Sequence, residues 1–141
     1  MAKNSFCKVC CWSRKCADCE RLKREGVKFA AQLTIDALTM LAYTDWRSLP
    51  DSSGIYFAFG PTRKVVYIGQ TQSLYARWLA GNYRIFYQYG VKTIGFVLTP
   101  DVILWRLSAE RELIKRFQPS MHGIRKLPGP KLEEWKRLMR I

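Results

Sequence analysis

Between residues 52 and 100 the chain has no aspartate or glutamate. Acid is scarce throughout: 11 Asp and Glu stand against 24 Lys and Arg, for a formal net charge of +13. The excess is spread over the whole length, which excludes a basic tail on a neutral body. A field this positive favours a polyanionic partner, because binding phosphates releases condensed counterions. Charge alone does not separate cutting such a partner from holding it. Long apolar runs are also missing. No segment is suited to spanning a bilayer, and residues 1–20, rich in Cys and Lys, hold no apolar signal-peptide core. These absences point to an intracellular, reducing compartment, where the five cysteines are not expected to pair as disulfides. Internal repeats and low-complexity tracts are absent too. What remains is 141 residues, 48% hydrophobic and 13% aromatic. That suffices for one modest packed domain with a small appendage and excludes a wholly disordered chain.

Four regions are expected: a Cys-rich knuckle over 1–20, a helical extension and linker over 21–49, a main domain over 50–123, and a basic terminal helix over 124–141. Ala30, Leu33, Ala37 and Leu41 make an apolar stripe at helical spacing, so a helix over 27–43 is predicted, with Gly26 ending or interrupting the one before it. Asp45 to Ser53, with Pro50, reads as a linker. Ile55 to Phe59 and Val65 to Ile68 are aromatic and β-branched, and read as a hairpin around Gly60 to Arg63. Thr71 or Ser73 can cap a helix to about Ala80. Gly81, Asn82 and Gly90 mark an irregular aromatic-rich connection. Thr93 to Thr99 is a third strand, and a helix runs from Pro100 and Asp101 to near Phe117, before Pro119. The order β-β-α-β-α predicts an α+β fold: a small three-stranded, mainly antiparallel sheet flanked by helices.

Chemistry concentrates at two triplets, Gly54-Ile55-Tyr56 and Tyr67-Ile68-Gly69. If Phe59 faces Lys64 in the hairpin, Tyr56 faces Tyr67 and both rings share one side of the sheet. A slip by one residue separates them. Each tyrosine alone reads equally as an ordinary strand residue. A phenol acts as a base only where a cation or metal stabilises the phenolate, and Arg77, Lys64 and Arg63 are the local cations. Any metal carboxylate must come from the later helix. At about 100° per residue, Ile103, Leu107, Ile114 and Phe117 fall within about 60° of Glu110, so Glu110 interrupts an apolar stripe while Glu112 points away. A carboxylate on a buried stripe needs a metal or an internal partner such as Arg77 or Arg106. One carboxylate with phosphate oxygens and waters suits Mg²⁺, and Arg77 can clamp a phosphate bidentately. Tyrosines, an arginine and an isolated carboxylate are together the parts of a metal-dependent phosphodiester cleavage site.

The triplets, Thr71-Gln72-Ser73-Leu74 with Arg77, and Glu110-Arg111-Glu112-Leu113-Ile114-Lys115 resemble the GIY-YIG nuclease domain family over roughly residues 50–123. The resemblance implies hydrolysis of a DNA strand by a metal-activated water. Tyr67 would be the general base with Tyr56 assisting, Arg77 would stabilise the phosphate, and Glu110 would hold Mg²⁺. Three positions depart from the family pattern: Gln70 stands where Lys or Arg is frequent, Gly81 where His or Tyr is frequent, and His122 where a late Asn is found. Gly81 brings no polar group, and Tyr83 can supply one from the next turn. His122 serves as a hydrogen-bond donor or as an acid toward the leaving group, or is a plain loop histidine.

Cys7-x2-Cys10 and Cys16-x2-Cys19 form two knuckle-like pairs with Cys11 left over. Four thiolates suit structural Zn²⁺, with an iron–sulfur cluster as the alternative. The reading is thus a metal-dependent endonuclease acting on DNA, with no membrane role. Its rivals are a catalytically inactive nucleic-acid-binding module and a subunit of a larger DNA-processing complex. With no separate recognition domain evident, specificity is either low or supplied by a homodimer or larger protein partner.

Overall fold

The computed structural model describes residues 16–121. Helix α1 (Ala17–Gln32) opens the fold, followed by a 3₁₀ turn (Ile35–Ala37), strand β1 (Thr39–Ala42) and a second 3₁₀ segment (Tyr43–Ser48). The hairpin β2 (Gly54–Phe59) and β3 (Val65–Thr71) comes next. A short helix α2 (Leu74–Arg77) runs through a π-helical turn (Trp78–Asn82) into α3 (Tyr83–Gln88), then β4 (Thr93–Leu98) and the long helix α4 (Ile103–Phe117) complete the order.

The sheet has four antiparallel strands in the order β1-β4-β2-β3, one more than expected. The extra strand lies inside the segment predicted as a helix over 27–43. The helix ends at Gln32, and Leu41 pairs with Ile94 on β4. The spacing that mimicked a helix is made by three different elements, with Ala30 on α1, Ala37 on the 3₁₀ turn and Leu41 on β1, and β1 exists only because β4 offers it a ladder. The expected linker likewise contains helical turns, with Trp46 buried.

β2 is buried along its whole length because helices cover both faces of the sheet. Ile55, Phe57, Phe59 and Ile68 pack one way, against Ala30 and Leu33 and against Trp105, Ala109 and Leu113 of α4. Tyr56 and Ala58 point the other way, onto Leu74, Trp78, Phe86, Trp46 and Met121. Strand alternation thus sorts the residues of β2 into two cores. Each fully buried Phe or Ile contributes roughly 1.5–3 kcal/mol.

Gly26 does not break α1. It lies mid-helix and buried, where α1 crosses α4, and an added Cβ would come within 2.3 Å of the Trp105 carbonyl oxygen. Backbone cannot yield there. Gly26→Ala is expected to destabilise the fold by about 3 kcal/mol, at the upper end of ordinary overpacking costs, despite a helix-propensity gain of about 1 kcal/mol. Urea unfolding measures it.

Candidate active site

Tyr56 sits mid-strand on β2 and pairs across the hairpin with Gly69, not with Tyr67. Tyr67 faces Ala58, and the register shifts beyond that point so that Phe59 pairs with Val65. The expected Phe59–Lys64 pairing is therefore replaced. The turn closes with the Gly60 N–H donating to the Lys64 carbonyl at 2.9 Å and Arg63 at φ 61°, and Val66 becomes the extra residue of a bulge. From Gly54 to Ala58 the register differs from the expected one by two residues. An even slip keeps both phenols on one face. Their rings are stacked, with centroids 6.0 Å apart and planes at 19°.

The glycine of the second triplet now has a physical reason. The Tyr56 ring lies across Gly69, and a Cβ there would stand 2.3 Å from the phenol oxygen and 2.4 Å from Cζ. Tyr56 is fully buried. Its hydroxyl accepts a hydrogen bond from Asn82 Nδ2 at 2.9 Å. Burial raises its pKa above the ordinary phenol value, the neighbouring Tyr67 pushes the same way, and Arg77 and Asn82 only partly oppose them. Tyr56 is thus held neutral. Trp78 meets its ring edge-on at 5.8 Å.

Arg77 closes α2. Ser73 is the N-cap, accepting from the Ala76 N–H at 3.1 Å, while Thr71 Oγ1 accepts from the Ser73 N–H at 3.1 Å. The capped turn aims the exposed Arg77 side chain back over β2 and β3. Its guanidinium interacts with the hydroxyl of Tyr56 and then with that of Tyr67, and these contacts raise its pKa further. Three of the expected site residues, Tyr56, Tyr67 and Arg77, are thus brought together.

Asn82 was legible only as a polar neighbour of Gly81. The expected irregular connection is helical on both sides of a kink at Gly81, from Leu74 to Gln88. Its π-turn holds one extra residue and turns Asn82 inward, where it is 7% exposed.

Glu110 comes from the opposite side of the sheet. The buried face of α4 is Trp105, Arg106, Ala109 and Leu113, whereas Ile103 and Leu107 are exposed. The stripe is therefore rotated from the expected one, and Glu110 lies on its margin, half-buried. Arg106 fixes which margin. This arginine is 4% exposed and donates to Gln70 Oε1, Ser53 Oγ and Asp101 Oδ1, each at 2.9 Å. Gln70 directly follows the second triplet and Ser53 directly precedes the first. Arg106 thereby bolts α4 to the outer strand β3, and Glu110, one helical turn further on, shares that flank. The sequence singled out Arg106 only as a candidate internal partner of Glu110, not as the tie from α4 to Gln70, Ser53 and Asp101.

His122, Cys7, Cys10 and Cys11 lie outside the described residues, as does the terminal helix expected over 124–141. Of the other two cysteines, Cys19 is buried and Cys16 caps α1, its Sγ accepting from the Cys19 N–H at 3.3 Å. Among the described residues no group of three or more His, Cys, Asp or Glu side chains is gathered as for a metal ion, and no helix is long and apolar enough to cross a membrane.

The chain is similar to solved structures of the GIY-YIG N-terminal endonuclease domain of UvrC from Thermotoga maritima. Two point mutants of that domain, each bound to its catalytic divalent cation, align with 55% of this chain and 89% of theirs, at 18% and 17% identity and a TM-score of 0.46. No family model matches the sequence, and no curated protein matches it.

Proposed function

We propose that this chain is a metal-dependent endonuclease that hydrolyses phosphodiester bonds in DNA. The observation that supports this most is the gathering of Arg77 against the hydroxyls of Tyr56 and Tyr67 beside an outer strand. A guanidinium and hydroxyl donors are what a pentacoordinate phosphate needs around its oxygens.

The two phenols are not equivalent. Tyr56 is sealed in the core with its pKa raised, so it serves by positioning: its ring sets the place of Tyr67, and its hydroxyl bears on Arg77. Tyr67 is half-buried, and we assign it the task of orienting or deprotonating the attacking water. Arg77, exposed and anchored at a helix end, clamps the phosphate. A backbone phosphate lying along the β3 margin meets Tyr67 and Arg77 from one face and Glu110 from the other.

The donor set suits a hard cation that keeps most of its water. Glu110 is a half-buried carboxylate on the β3 flank, and an oxygen donor suits such an ion. When bound by Glu110, such an ion (Mg²⁺ in this reading) would withdraw charge from the scissile phosphate. Structural Zn²⁺ at Cys7, Cys10, Cys16 and Cys19 remains part of the proposal. It is supported by the two-residue spacing within each of the two cysteine pairs.

Single-turnover conversion of supercoiled plasmid tests the reading. Nicked or linear product is expected with magnesium and none with EDTA. Tight binding without conversion would leave a holding module instead.

A further inference from the structure

The helical segment that delivers Arg77 carries more than the reacting cluster uses. Tyr75, Leu79, Tyr83 and Tyr87 recur every four residues along it, and Leu79 and Tyr87 are 50% and 51% exposed. Trp46 lies among them, stacked on Tyr83 with centroids 4.8 Å apart and planes at 12°, and on Tyr75 at 6.0 Å. Two arginines lie over this column: the Arg47 guanidinium is 4.9 Å from the Trp46 ring centre, and that of Arg84 is 5.6 Å from Tyr83. Tyr43 also belongs to the group. Burial, then Tyr87 and Tyr83, push its pKa up to about 12, so its phenol stays uncharged.

A surface of half-exposed rings and an exposed leucine, edged by guanidiniums, is poorly matched to duplex DNA. A duplex hides its base faces and offers phosphate and sugar. Unpaired bases present open π-faces that stack on aromatic side chains, while their phosphates meet arginines. The charge agrees, since the chain from 52 to 100 carries no carboxylate and Asp45 is the one acid on the Tyr43–Ser48 segment beside the rings. The ridge and the reacting cluster share α2, which carries both Tyr75 and Arg77.

We infer that this ridge is a docking surface for unpaired nucleotides of DNA, and that the preferred substrate has a single-stranded stretch next to the cut: a flap, gap or branch. The inference rests on the nuclease reading for the cut but not for the binding.

The test is fluorescence anisotropy of the full chain in EDTA, with a labelled oligothymidylate and a labelled duplex of equal length. Leu79→Ser with Tyr87→Ser removes two half-exposed side chains outside the reacting cluster. Single-strand affinity is expected to fall about tenfold, as for loss of one or two stacked bases, with duplex affinity unchanged. Tyr87→Ser alone gives a smaller change of the same sign and serves if the double variant misfolds. Equal losses on both ligands, no loss on the single strand, or tighter binding of a single-stranded RNA would overturn the inference. Because binding is read without metal, a chain that cuts nothing can still pass, and one that cuts plasmid can still fail.

Discussion

Arg77→Ala is expected to lower the single-turnover rate of plasmid cleavage by about 10²–10³-fold, the loss typical of removing one preorganised donor from a developing oxyanion. DNA affinity should fall little, since Arg77 is one of 24 basic residues and the rest of the field remains. Stability should change little as well, because the side chain is exposed and neither phenol needs it to stay buried. Arg77→Lys separates charge from shape. Lysine keeps the cation but loses the planar fork, so partial recovery identifies bidentate clamping and full recovery identifies simple charge. A rate drop matched by an equal drop in affinity would make Arg77 a binding residue only.

The second large effect is structural and concerns Gly69→Ala. The new methyl group would collide with Cζ and the hydroxyl of Tyr56. That ring has nowhere to go, being fully buried against Trp78 and tied to Asn82. The strain falls on the hairpin between β2 and β3. A loss of about 3 kcal/mol is expected, seen as a fall in Tm of roughly 10 °C. Partner choice makes the cause identifiable. Tyr56→Phe removes only the oxygen, leaves the Cζ contact and should not rescue Gly69→Ala. Tyr56→Leu, lacking the ring, should recover part of the loss, a non-additivity that reports direct contact. Activity should not return with it, since the ring that positions Tyr67 is gone.

These two residues also show how far the sequence could be read. The triplets announce their strands because they combine β-branched and aromatic residues with alternation, and the shared face of Tyr56 and Tyr67 is within reach. Their register is not. It depends on the bulge at Val66 and on the turn at Arg63, and neither leaves a mark in composition. Ser73 as a cap is readable from residue type. The π-turn that buries Asn82 is not, because Gly81 looks like a breaker. Gly81 does leave helical geometry, at φ 168°, and the segment kinks there, but it resumes at once in Tyr83–Gln88. β1 is hidden because a strand made by its neighbour has no local signature. Glu110 is legible as a partly buried acid on α4, but on a stripe the fold does not use. Ile103 and Leu107 are apolar yet exposed, while Arg106 is charged yet buried by three acceptors, an inversion that a helical wheel of hydrophobicity reverses.

The central claim is that Tyr67, Arg77 and Glu110 act on one phosphate from the two faces of the β3 margin. The most direct measurement is single-turnover cleavage by Glu110→Ala beside the unsubstituted chain, at DNA concentrations giving equal occupancy and over a series of magnesium concentrations. Cleavage should disappear in the variant while DNA binding persists. Cutting by Glu110→Ala at an undiminished rate, with unchanged dependence on magnesium, would contradict the account.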